Sequence, residues 1–91
     1  MNPIEEAVLK MVKIAAGEIA SNPLAFEHFI TMGKVGDPKL LALNKHIVSI
    51  VKTIYPAIEV AKTIIPSGTP FLSDFICWVE QLYPILIEHG A

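Results

Sequence analysis

Residues 49–65 read "SIVKTIYPAIEVAKTII", with apolar residues recurring every three or four positions on both sides of Pro56. This spacing predicts an amphipathic α-helix. A proline in a helix interior removes one backbone hydrogen bond and bends the helix. The stretch therefore predicts a long apolar helix with a kink at its centre, and the fold depends on what covers that helix.

A second segment repeats this pattern. "HIVSIVKTIYPAIE" at 46–59 and "DFICWVEQLYPILI" at 74–87 align without a gap at an offset of 28 residues, so that Tyr55-Pro56 falls on Tyr83-Pro84. Each proline lies among the polar positions of its segment, where water can satisfy the freed carbonyl. We predict that Pro56 and Pro84 are helix kinks, and that the two bent helices share a geometry and pack along each other.

Proline-containing dipeptides predict where helices begin. Four of them pair a helix-capping residue with proline before a stretch of helical spacing: Asn2-Pro3, Asn22-Pro23, Asp37-Pro38 and Thr69-Pro70. The cap side chain accepts a hydrogen bond from an unpaired amide, and proline has no amide to waste at the first helical position. Asn2 and Glu5 have the spacing of a capping box, and Gly33 and Gly36 suit a helix C-terminus.

The four starts predict helices over about 3–20, 23–33, 38–65 and 70–89. The predicted fold class is all-α. We expect a small four-helix bundle in one domain, residues 1–91, with two long apolar, proline-kinked helices at about 38–65 and 70–89.

The composition is unusually apolar for so short a chain. Hydrophobic residues make up 53% and charged residues 18% of the 91 residues, against about 45–50% (glycine included) and about 25% in ordinary soluble domains. A domain of this size buries only about 60–65% of the surface that its unfolded chain exposes. We therefore expect the folded chain to leave apolar surface exposed, and copies of it to shield one another.

The charged residues exclude some partners. The net charge is −2, and all seven basic residues are lysines. Because arginine is the usual residue for bidentate contacts with phosphate and base edges, specific nucleic-acid readout is not expected. Lys39, Lys45 and Lys52 lean to one side of the third predicted helix and are candidates for non-specific contact with a nucleic-acid backbone. The single cysteine, Cys77, excludes an intramolecular disulfide.

The sequence also bears on location. The N-terminus has acids where a signal peptide has basic residues, and no stretch of about 18 residues is free of charges, as a membrane-spanning helix would require. We expect neither a signal peptide nor a transmembrane helix, and a location inside the cell or in an assembled virion.

No pattern of catalytic or metal-binding residues is present. His28, His46 and His89 have no partner histidine three or four residues away, whereas zinc sites need three or four converging ligands. Glycine-rich phosphate loops and common hydrolase motifs are absent. We expect no enzymatic activity, metal, cofactor or small-molecule substrate.

Aromatic residues concentrate in the last helix. Trp78, Phe71, Phe75 and Tyr83 recur there at helical spacing. They suit either a core or an association interface, and we expect Phe75 to point inward and Trp78 outward. The predicted self-association interface consists of nine residues: Phe71, Phe75, Trp78, Leu82, Tyr83 and Ile85 with Ile50, Ile54 and Tyr55.

Three functions remain open. The first is a non-enzymatic structural protein that self-assembles through apolar helix faces, such as a viral coat (capsid) or filament subunit. The second is a membrane-active helical protein of the saposin-like or bacteriocin-like kind, although the last helix lacks the basic face that such proteins turn to anionic lipid. The third is a small adaptor whose groove takes a partner's amphipathic helix.

Overall fold

The computed structural model describes residues 2–31 and 38–91, and within those ranges the chain is helical and contains no strand. The all-α prediction is confirmed. The helices are α1 (Pro3–Ala20), α2 (Pro23–Ile30), α3 (Pro38–Leu43), α4 (Lys45–Ile54), α5 (Ile58–Ile64) and α6 (Leu72–Glu88), with a 3₁₀ turn over Tyr55–Ala57 between α4 and α5.

The first two predicted helix starts are confirmed. The Asn2 side chain accepts from the backbone amide of Glu5 at 2.8 Å, and the Glu5 carboxylate accepts from the Asn2 amide, which completes a capping box. Asn22 caps α2 in the same way through the amide of Ala25. α2 ends at Ile30, earlier than predicted. The proposed cap Asp37 and the glycines Gly33 and Gly36 lie outside the described residues.

The single helix predicted over 38–65 is wrong. The Asn44 side chain accepts from the amides of His46 and Ile47, both at 3.1 Å, and this cap ends α3 and begins α4. A second interruption follows at Pro56, where the chain passes through the 3₁₀ turn into α5. An asparagine side chain competes with the backbone for amide donors, and proline has none to donate. Three short helices therefore replace the long one.

The predicted cap at Thr69 is also wrong. Thr69 hydrogen-bonds back to the carbonyl of Pro66 and closes a turn. The amide of Leu72 then donates to the carbonyl of Pro70, with Phe71 between them at φ 71° and ψ −55°, which is the geometry of a γ-turn that is rare and strained in proteins. The last helix therefore begins at Leu72, two residues after Pro70. Pro84 lies inside that helix.

The two Tyr-Pro segments pack against each other in antiparallel directions. Tyr55 contacts Tyr83 and Lys62 contacts Glu80, so the partner's number falls as the chain number rises. Residues aligned in the sequence also share their burial: Ile47 with Phe75, Val51 with Val79, Ile54 with Leu82 and Ile58 with Leu86 are buried pairs, and Pro56 and Pro84 are both exposed. The two segments therefore share their pattern of burial, but the predicted common geometry does not extend to secondary structure, which changes to a 3₁₀ turn at Pro56 and stays α-helical through Pro84.

α1 closes the core from the other side. Val12, Ala16 and Ile19 are buried against the rest of the chain, and α1 packs on α5, α4, α2 and α6. Ile4, near the N-terminal end of α1, is 71% exposed.

The total accessible surface of the folded chain is ordinary for its mass. Its accessible surface is 5373 Å², close to the roughly 5,200 Å² expected of a monomer of this mass. Association of copies would therefore depend on where the exposed apolar side chains lie, and not on an excess of total surface.

Candidate association surface

Most of the predicted interface is the interior of the chain. Phe75, Trp78, Leu82 and Ile54 are at most 1% exposed, and Ile50 is 9% exposed. These side chains contact other parts of the same chain, and of the five only Ile50 keeps a small exposed area. In particular, the prediction that Trp78 points outward is wrong.

Trp78 is buried because α2 lies over it. The Phe29 ring of α2 makes edge-to-face contacts with Trp78 and with Phe71, at centroid distances of 5.8 and 5.3 Å. The indole N–H of Trp78 donates to Nδ1 of His28 at 3.0 Å. His28 is itself buried, and burial lowers its pKa from the ordinary value of 6.5. The neutral ring is the form that accepts this hydrogen bond.

The other four predicted interface residues reach the surface. Tyr55 is 39% exposed, and Phe71, Tyr83 and Ile85 are half-buried. The rings of Tyr55 and Tyr83 stack face to face, so each covers much of the other. Their role in an interface stays a prediction.

The three candidate lysines are exposed on neighbouring helices. Lys39 belongs to α3, and Lys45 and Lys52 belong to α4, where they line a shallow groove beside Gly90. A fourth lysine, Lys62 of α5, forms an ion pair with Glu80 of α6. The hydrogen bond to the Glu80 carboxylate raises the pKa of Lys62.

An open apolar groove lies between α1 and α4. It has a volume of about 470 Å³. Its apolar lining consists of Ala7, Met11, Ile14 and Ala15 from α1 with Ile50 and Ile54 from α4. Ile14 is 54% exposed. Ile4, which is 71% exposed, lies about two turns before Met11 on the same side of α1. This is an exposed apolar strip beside a concave surface.

Polar residues also line the groove. They are Lys10, Glu18, His46, Ser49 and Thr53. Glu18 of α1 and His46 of α4 approach to 3.7 Å, and both side chains are about half exposed or more. A groove lined by both apolar and charged residues is typical of sites that bind amphipathic helices.

Chemistry-bearing residues do not converge in the part of the chain that is described. Within residues 2–31 and 38–91, no three or more histidine, cysteine, aspartate or glutamate side chains come close enough to hold a metal ion. Cys77 is exposed on α6, where its sulfur accepts a hydrogen bond from Gln81. None of the helices in those ranges has the length and apolar composition needed to cross a bilayer.

The groove was not predicted from the sequence, because apolar spacing indicates the face of a helix that turns inward. Ile14 was the available signal, since it lies between Lys10, Lys13 and Gly17 on the polar side of α1. An isolated isoleucine on a polar helix face is common, however, and needs no explanation by itself. Comparison of the chain with protein-family models, with curated proteins and with solved structures gave no match in any of the three.

Proposed function

We propose that this protein is a non-enzymatic structural subunit whose copies associate through an exposed apolar helix face. The observation that carries the proposal is the groove between α1 and α4, which is lined by the half-exposed Ile14, the partly buried Met11 and the nearly buried Ile50 and Ile54. Burying such a strip removes apolar surface from water, which is the main driving force of protein association.

The size of this face suits a modest interface. α1 has 18 residues and is therefore about 27 Å long, and neighbouring helices are about 8–10 Å apart. A face two helices wide covers roughly 500 Å² in plan, so two copies would bury about 1,000 Å² in total, at the lower end for specific complexes. The expected association is reversible and depends on protein concentration.

A viral coat or a filament is the finer form of this proposal. Such an assembly needs a second, different contact that does not close on itself. Leu40 and Leu43 on α3, 51% and 78% exposed, are candidates for that contact. Non-specific binding of a nucleic-acid backbone by Lys39, Lys45 and Lys52 belongs to the same finer proposal.

A second candidate function is supported by the same groove. An apolar channel with charged sides would also accept an amphipathic helix from a different protein, which is the adaptor function. In that case the chain alone stays monomeric at every concentration and binds a client.

The test is the native mass over a wide concentration range, by light scattering in plain buffer, followed by negative-stain imaging at the highest concentration. A mass that rises with concentration supports association, and extended tubes or shells support the coat or filament form. A mass of one chain throughout would overturn the proposal. Co-sedimentation with anionic liposomes by such a monomer would favour the membrane-active alternative instead.

A further inference from the structure

We propose that two copies of this chain pair about a two-fold axis that passes beside Ile14, with the two α1 helices antiparallel and each seated against the groove of the other copy. This inference rests on the proposed self-association and names its surface. The occupant of the groove is α1 of a second copy.

The charges on α1 are self-complementary in this arrangement. Lys10 and Glu18 lie four residues before and four residues after Ile14, on the same side of the helix, and all three line the groove. An antiparallel two-fold pairing centred on Ile14 places opposite each other residues whose numbers are equally far from 14. Lys10 of each copy then lies opposite Glu18 of the other, and the pairing occurs twice.

Other arrangements use these features less well. A parallel two-fold pairing would place Lys10 against Lys10 and Glu18 against Glu18, and like charges at an interface oppose association. An unrelated partner helix would have no reason to match the spacing of Lys10 and Glu18 about Ile14. The symmetry of charge about one residue favours a second copy.

Charge reversal tests the pairing. Lys10→Glu and Glu18→Lys each create two like-charge contacts in the proposed dimer, so each single variant should associate about tenfold more weakly by sedimentation equilibrium. The double variant K10E/E18K restores both pairs and should recover most of the affinity. Failure of the double variant to recover would overturn the antiparallel pairing, provided that circular dichroism shows all three variants folded.

Cross-linking tests the axis. Ile14 of one copy lies beside Ile14 of the other in the proposed dimer. Ile14→Cys in a Cys77→Ser background should therefore form a disulfide-linked dimer rapidly under copper–phenanthroline oxidation. Glu6→Cys in the same background is the control, because the two copies of residue 6 lie at opposite ends of the paired helices. Equal rates for the two variants would overturn the axis.

A third comparison, of two isoleucine variants, distinguishes failure of the α1 pairing from failure of self-association itself. Ile14→Glu should weaken association at least about tenfold, whereas Ile87→Glu, on the exposed side of α6, should leave it unchanged. If Ile87→Glu abolishes association and Ile14→Glu does not, the chain self-associates but through another face, and only this inference fails. If the unmodified chain never associates, the proposed function fails with it.

Discussion

The rings of Tyr55 and Tyr83 stack face to face, with centroids 3.8 Å apart and an interplanar angle of 7°. These two residues occupy equivalent positions in the two Tyr-Pro segments, 28 residues apart. When two similar helical segments pack antiparallel, a residue can contact its own equivalent only at the point where the segments cross. The stack marks that crossing point.

The stack should make a measurable contribution to stability. Tyr55→Leu and Tyr83→Leu, alone and together, form a double-mutant cycle in urea unfolding. Because paired aromatic rings contribute about 0.5–1.5 kcal/mol beyond their buried area, we expect a coupling energy of that size. The pair Tyr55→Leu with Ile87→Ala, whose side chains are not stacked, is the control and should be additive. Additivity of the two tyrosine substitutions would contradict the prediction.

The two prolines should respond differently to replacement. Pro84 lies in the interior of α6, so Pro84→Ala restores a backbone hydrogen bond and should raise the free energy of unfolding by about 1–3 kcal/mol. Pro56 lies in a 3₁₀ turn between two helices, and Pro56→Ala should change stability by less than about 1 kcal/mol. Urea unfolding measures both. A loss of stability in Pro84→Ala would mean that the packing of α6 needs the bend.

Stability should depend on the protonation of His28. Burial lowers the pKa of His28 below 6.5 in the folded chain, so the unfolded chain binds the proton more readily. The contribution of the neutral ring is complete above pH 6.5 and is lost as the pH falls from there through the lower folded-state pKa. Protonation of Nδ1 also removes the acceptor of the Trp78 N–H.

Urea unfolding between about pH 7.5 and about pH 5 checks this dependence. The double variant His28→Leu with Trp78→Phe removes both hydrogen-bonding groups and should flatten the part of the pH profile that His28 causes. His89→Gln, which changes an exposed histidine, is the matched control and should keep the profile of the original chain. A profile that is unchanged in the double variant would assign the pH dependence to other groups.

Leu82 should behave as a core residue and not as an interface residue. It is 1% exposed, whereas Ile87 on the same helix is 41% exposed. Leu82→Ala should lower the free energy of unfolding of the dilute chain by about 2–5 kcal/mol, and Ile87→Ala by less than about 1 kcal/mol. If Leu82→Ala left stability intact, the burial of this residue in the single chain would be in doubt.

Gly17 should tolerate replacement by alanine within the single chain. Gly17→Ala fits the helical backbone and finds open space around the new Cβ, so it should raise the free energy of unfolding of the dilute chain by about 0.5–1 kcal/mol. Urea unfolding in dilute solution measures the effect. A lower free energy of unfolding in Gly17→Ala would contradict the prediction.

Local signals in the sequence determined the helices. The caps of α1 and α2 use side chains three residues from the amides that they satisfy, and such short-range hydrogen bonding does not depend on the rest of the fold. The cap at Asn44 belongs to the same class, so the break of the third predicted helix was within reach of the sequence. The equivalence of the two Tyr-Pro segments was also readable, because apolar spacing records which side of a helix is buried.

The packing of helices that are distant in the sequence determines which apolar residues face the solvent. Trp78 and Leu82 are residue types that suit an interface, yet α2 and the antiparallel segment cover them. No local sequence pattern specifies which helix will cover a given residue. Ile14 stands on a polar helix face, and its neighbours on α4 became visible only once α1 was placed beside them. Burial is a property of contacts between residues distant in the sequence, whereas helix formation is decided within a few turns of the backbone.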